Sequence, residues 1–500
     1  MATADISESR PGSPADEKGH PPGLYVLFGA EMWERFSYYG MRALLVLYLT
    51  KHLGQARASA LELYATYTGL VYFTPLLGGY LADKFLGQRK AILIGGIVMA
   101  LGHFAMAFES QLYLALSLLI LGNGFFKPNI TTMVGHLYTK GDARRDAAYT
   151  IFYMGINLGA FFSPLVCGRL NESFGWHSGF GAAGVGMVFG LISFLSFQRL
   201  LAGGYPPGRE EQGGTGLTVA DWGHVILISL GCAAFAYGFG RAWPGNGGNW
   251  PGIQGFVKIL VPVILVGYAI GLVLVGFKAS EEAGTEAGQD WQRVLVILLV
   301  ALSSVVFWMA FEQAGGTLNL FAEENTDRVV FGRPIAASYF QSINPFFIFT
   351  LAPLFSVLWS RMDSSRYKLT STAKMGIGLI LLGIGCVVMY RASSIAATGV
   401  KVGPFWLVFT YFFFTVGEIC LSPIGLSLVN KLAPAKAASL LMAVWFLCTA
   451  VANYLAGILE AFLEARHINL WAFLIATSIG TGVLLLAFTG PLKRMSHGRL

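Results

Sequence analysis

The chain is 500 residues long, 55% hydrophobic and only 12% charged, with a mean hydropathy of +0.61. Soluble domains carry about 25% charged residues, so a fully solvated surface is excluded and most of the chain must face lipid. The net charge of +7 is read as basic loops on one face of a membrane protein, with no nucleic-acid partner expected.

Lipid cannot satisfy free backbone groups, which leaves helices and closed barrels as the spanning structures. The apolar stretches are long and lack the short alternating segments of a barrel, so an all-α polytopic bundle is expected. Residues 1–21 are rich in Pro, Gly, Ser and charge and are expected to form a disordered cytoplasmic tail without a signal-peptide apolar region. Apolar segments follow at about 23–52, 60–82, 90–108, 111–137, 147–170, 179–200, 221–241, 254–277, 293–322, 335–360, 371–391, 403–430, 435–462 and 470–490. The five cysteines lie scattered within such segments and form no CxxC, so neither a disulfide framework nor a metal site is expected.

In chain order, the first segment contains Glu31, Glu34, Arg35, Tyr38 and Arg42, which at 100° per residue share one helix face. That face cannot meet lipid. It is either a structural ion-pair stripe or, the favoured reading, the wall of a water-filled cavity with titrating carboxylates. The connection after the second segment carries Gly79, Asp83, Gly87 and Arg89. Its glycines permit a tight turn, and Asp83 can cap or pair with the basic residues that follow. This loop is similar to the loop between the second and third spans of the major facilitator superfamily. Lys127 lies mid-segment, followed by Pro128, and needs a carboxylate partner or deprotonation. Further on, Glu312 follows Trp308, and Glu418 stands one turn before Ser422. These two glutamates are the natural partners for Arg42 and Lys127, in pairs that form and break as a cavity closes and opens; fixed bridges are the alternative.

Residues 201–219 form a Gly/Pro-rich polar linker, and a second polar stretch covers 279–292. The expected plan is therefore a six-helix bundle over 22–202, a linker with two additional helices over 203–290, a second six-helix bundle over 291–492 and a tail at 493–500. That gives fourteen transmembrane helices. Alternate loops carry Lys84, Arg89 and Lys90, then Lys140, Arg144 and Arg145, with Lys493, Arg494 and Arg499 at the C-terminus. By the positive-inside rule both termini are expected in the cytoplasm, in a multi-pass protein of the cell inner membrane.

Assembled, these residues resemble the proton-dependent oligopeptide transporter family, a branch of the major facilitator superfamily, in its bacterial form. The likeness runs from about residue 23 to 490. Its strongest element is Glu31-x-x-Glu34-Arg35, with Phe152-Tyr153 to Asn157, Gly122–Asn129, Phe307–Gln313 and Gly417–Pro423 in support. The resemblance implies proton coupling through Glu31, Glu34, Arg35 and Glu418. It implies that Arg42, Lys127 and Glu418 hold the peptide termini. Tyr39, Tyr67, Tyr153, Asn157, Asn344 and Ser422 would line the pocket, with Trp308 and Trp445 bounding side-chain subpockets. Lys127 with Glu418 and Arg42 with Glu312 would be gating pairs. Eukaryotic relatives carry a histidine near the position of Ala65, so coupling here is expected to rest on carboxylates.

The function expected is inward symport of di- and tripeptides with protons by alternating access of two bundles; a proton-coupled carrier of another small solute, such as nitrate or an amino acid, is the alternative. Opposite charges suit a zwitterion, and aromatic walls suit varied side chains. HExxH, GxSxG and Cys/His cluster motifs are lacking, so no enzyme is expected. Protons rather than a cofactor drive the process. Peptides, protons and membrane lipid are the expected partners of a functional monomer.

Overall fold

The computed structural model describes residues 19–139, 142, 144–205, 219–241, 287–364, 369–434 and 438–497. Residues 1–18 of the tail expected at 1–21, the second additional helix near 254–277 and most of the second polar stretch lie outside them.

The first bundle contains α1 (Gly23–Leu47), α2 (Arg57–Phe73), α3 (Pro75–Leu81), α4 (Gln88–Ala105), α5 (Leu112–His136), α6 (Arg144–Phe174) and α7 (Trp176–Phe197). The segment read as one span at 60–82 is broken because Pro75 opens a new helix, its missing N–H costing nothing at a first turn. An additional helix, α8 (Val219–Arg241), packs on α5 and shows Leu227, Leu230 and Phe235 at its surface, as lipid contact requires.

The second bundle contains α9 (Ala287–Phe311), the short α10 (Thr317–Glu324), α11 (Ile343–Asp363), α12 (Ser371–Ala396), α13 (Phe405–Leu432), α14 (Ala438–Glu464) and α15 (Leu470–Ala487); α16 (Thr489–Met495) follows. The stretch read as one span at 293–322 lies within one apolar span, Asp290–Glu324, whose α-helix breaks after Phe311. A 3-10 turn at Glu312–Ala314 and the pair Gly315-Gly316 separate α9 from α10. Among the described residues the regular structure is helical but for a short hairpin after α10, Val329–Val330 against Arg333–Pro334, and a bridge between Thr326 and Val402. Phe331 and Gly332, both with positive φ, supply its turn.

The bundles repeat one packing scheme. In the first, α1 lies on α6 and α7, and α4 lies on α5 and α7; in the second, α9 lies on α14 and α15, and α12 lies on α13 and α15. Corresponding helices also cross at corresponding glycines. A Cβ on Gly95 would stand 2.6 Å from the Gly122 carbonyl oxygen, and one on Gly378 would stand 2.8 Å from that of Gly417. Only small residues permit such close backbone approach in a membrane bundle. The result is two six-helix bundles facing each other through α2 with α14 and α6 with α11.

Candidate functional site

The α1 charges point inward as their spacing predicts. Glu31 and Glu34 are fully buried and Arg35 nearly so. The Arg35 guanidinium grips Glu34 through Nε and through Nη2, the latter 2.6 Å from Oε1, and its Nε lies 3.4 Å from Glu31 Oε1. Two additions come from α5. Asn123 Nδ2 donates to Glu34 Oε1 at 3.1 Å, and Lys127 Nζ donates to Glu31 Oε1. The cluster thus holds two carboxylates and two cations, formally balanced, where unpaired charge would be costly. One acceptor is left over: Glu31 Oε2 is buried without a hydrogen-bond partner among the described residues.

About two turns further along α1, Arg42 donates to Glu312 of the second bundle and to the Tyr64 hydroxyl. The break after α9 makes this possible. Gly315 has no Cβ, and one placed there would lie 1.8 Å from the Tyr64 oxygen and 2.8 Å from Arg42 Nη2. Tyr39 sits between the two arginines, its ring centroid 5.9 Å from the Arg35 guanidinium and 5.8 Å from that of Arg42, within cation–π range.

The sequence pairing of Lys127 with Glu418 is not the one present. Lys127 is held by Glu31. Glu418 on α13 instead accepts from Asn344 Nδ2 of α11 at 2.8 Å, and that amide also donates to Thr415 Oγ1 at 3.0 Å. The sequence shows that Lys127 needs a carboxylate but not which one lies in reach. The pairing of Asp83 with following basic residues is likewise replaced. Asp83 accepts from the Gln88 side chain at 2.8 Å, while Arg89 donates to the carbonyls of Gly203, Leu201 and Gln198 at 2.7, 2.6 and 3.2 Å. Gly87, at φ 71°, turns the chain between them.

The other expected lining residues divide by exposure. Tyr153 is 43% exposed, and its carbonyl accepts from Asn157 Nδ2, a side chain that is itself buried. Tyr39, Trp308, Asn344, Glu418 and Ser422 are half-buried. Tyr67 and Trp445 are buried, and the Trp445 indole packs where a Cβ on Gly425 would stand, 2.2 Å from its ring. Two polar contributors escaped the sequence reading. Tyr64 reads as helix packing because an aromatic one turn before Tyr67 fits a core stripe; Asn123 lies in a segment the reading had singled out, yet its role depends on α1.

Among the described residues, the side-chain bonds that join the bundles lie toward the face opposite the chain termini. Besides Arg42 with Glu312, Arg57 of α2 reaches Glu324 at 2.9 Å and Glu460 at 2.5 Å. Asn319 donates to the Ala43 carbonyl at 2.8 Å, and Ser342 donates to that of Phe161 at 2.7 Å. Against them, the Lys127 side chain is 29% exposed although it sits deep in the bundle beside the fully buried Glu31.

Comparison with known proteins places this arrangement. Residues 89–206 and 270–474 match the family model described as PTR2, POT family. The peptide transporter YePEPT of Yersinia enterocolitica is 34% identical, with 96% of each chain covered. The di-/tripeptide transporter of Lactococcus lactis subsp. lactis is 34% identical over 95% of this chain and 97% of its own. Among solved structures, a peptide transporter POT in complex with sulfate superposes with a TM-score of 0.82 at 34% identity, covering 95% of this chain and 96% of that one. A POT family transporter in complex with 5-aminolevulinic acid gives a TM-score of 0.79 at 29% identity, covering 95% and 97%.

Proposed function

We propose that this chain, which belongs to the POT family of transporters, carries di- and tripeptides across the membrane together with protons, and that the α1–α5 charge cluster is where the two cargoes meet. The observation that carries the reading is the balanced set of Glu31, Glu34, Arg35 and Lys127 with one carboxylate oxygen left free.

A proton arriving at Glu31 would neutralise the acceptor of Lys127 and free that ammonium. A peptide carboxylate competes for the same cation, and the peptide ammonium has an acceptor in Glu418, itself held by Asn344. A ligand shifts a two-state balance only by its differential affinity for the two states. Here the difference lies in which partner Lys127 has. Arg42 with Glu312 and Arg57 with Glu324 and Glu460 act as latches on the closed face. Release of these latches lets the bundles rock about the midplane. With both termini in the cytoplasm, as the basic loops favour, the closed face is the outer one and the structure faces inward. The protein acts as a carrier and leaves its substrate chemically unchanged. Protons are its only driving partner, and one chain suffices.

Uptake of labelled dialanine into proteoliposomes, with and without an inward proton gradient, tests the reading. Gradient-dependent accumulation that excess unlabelled tripeptide blocks is expected. Equal uptake with and without the gradient would remove the proton, and no uptake by inserted protein would remove the peptide.

A further inference from the structure

Three side chains on the face opposite the termini converge from separate elements of the first bundle. His52 closes the π-turn that ends α1 (Tyr48–His52), Glu109 opens the 3-10 turn between α4 and α5, and His177 lies in the first turn of α7. All three are exposed, and their donor atoms lie within 4.8 Å of one another. His52 Nε2 is already 2.6 Å from Glu109 Oε1. We infer that His52, Glu109 and His177 form a binding site for a borderline divalent transition-metal ion such as Zn2+, outside the transport pathway.

The chemistry of the donors favours this. Two imidazoles and one carboxylate are a recurrent zinc ligand set that leaves a fourth position for water. The histidines are also oriented as ligands are. His177 Nδ1 lies 3.2 Å from the Met106 carbonyl oxygen, and a ring that donates from Nδ1 presents Nε2 as the free donor. The His52 ring stacks on Tyr48, with centroids 5.1 Å apart and planes 26° from parallel, and that tyrosine also lies edge-on to His177 at 6.4 Å. Both rings are thus braced by one buried tyrosine. The short contact between His52 and Glu109 requires a shared proton, and a cation would take that proton's place. Tetrahedral bonds of about 2.0–2.1 Å set donors about 3.3 Å apart, a closure that exposed side chains can make without moving the helices.

The ion would tie the end of α1 to the α4–α5 turn and to the start of α7. All three belong to one bundle, so it would rigidify that bundle without locking it to the other. No short-range motif marks these ligands, which are separated by 57 and 68 residues.

The test is titration of purified, tag-free protein in detergent with ZnCl2, followed by calorimetry and by thermal unfolding. One saturable equivalent and a raised midpoint are expected. His177→Ala and His52→Ala should each weaken binding at least about tenfold. Glu109→Gln should weaken it while leaving the unliganded midpoint unchanged. Mg2+ should not compete, since imidazole donors disfavour hard cations. Failure to saturate, or equal binding by the doubly substituted His52→Ala/His177→Ala protein, would overturn the assignment, and circular dichroism of each variant separates that result from misfolding.

Discussion

Lys127 of α5 donates to Glu31 of α1, joining two helices through charges that neither could show to lipid. With Arg35 and Glu34 beside them, each charge has an opposite within reach. The arrangement is stable only while all four keep their protonation states, and a device that must respond to one proton needs that property.

Removing one member therefore leaves the buried cluster with one unbalanced charge. Breaking a buried pair from one side costs about 3–5 kcal/mol. Lys127→Met should lower the unfolding midpoint in detergent, and adding Glu31→Gln should restore part of the loss. A Lys127→Met protein that melts like the parent would show that the pair contributes nothing.

The contact of Arg42 with Glu312 should hold the face opposite the termini shut. Leu61 is buried there against α14, its carbonyl 2.5 Å from where a Cβ on Gly457 would stand. In a cysteine-free background carrying Leu61→Cys, Glu312→Gln should speed labelling by a membrane-impermeant maleimide several-fold. Unchanged labelling would mean that the latch does not hold this face closed.

Gly315→Ala should disturb the site from a distance, because the added methyl would meet the Tyr64 hydroxyl. Dipeptide uptake should fall at least about tenfold, corresponding to about 1.4 kcal/mol or more. Combining it with Tyr64→Phe, which deletes the obstructing oxygen, should recover part of the loss; no recovery would locate the defect elsewhere.

Arg89 holds the chain after α7 by three carbonyls. Arg89→Ala should accelerate tryptic cleavage after Arg199 several-fold. Lysine at the same position should protect poorly, because its single ammonium cannot match a planar fork of donors. Equal cleavage of all three proteins would contradict this role.

Much of this molecule is legible in its sequence because lipid imposes severe rules. The first apolar segment, read at 23–52, is α1 followed by the π-turn that ends at His52. The inward charges of α1 were legible because exposing them would be costly. What the sequence lacks is the identity of partners across helices. Lys127 plainly needs a carboxylate, but the sequence points to Glu418, and only the placement of α5 beside α1 puts Glu31 in reach. The break at Gly315-Gly316 hid inside an apolar run, since hydropathy averages over a turn that shifts Glu312 toward Arg42. Tyr64 carried no signal, because a packed tyrosine and one that holds an arginine look alike in one dimension.

The central claim is that proton and peptide share the α1–α5 cluster, and Glu31→Gln tests it most directly. In proteoliposomes this variant should lose proton-driven dialanine accumulation while keeping counterflow exchange of labelled for unlabelled dipeptide, which needs no net proton movement. Undiminished accumulation against a gradient by Glu31→Gln would contradict the account.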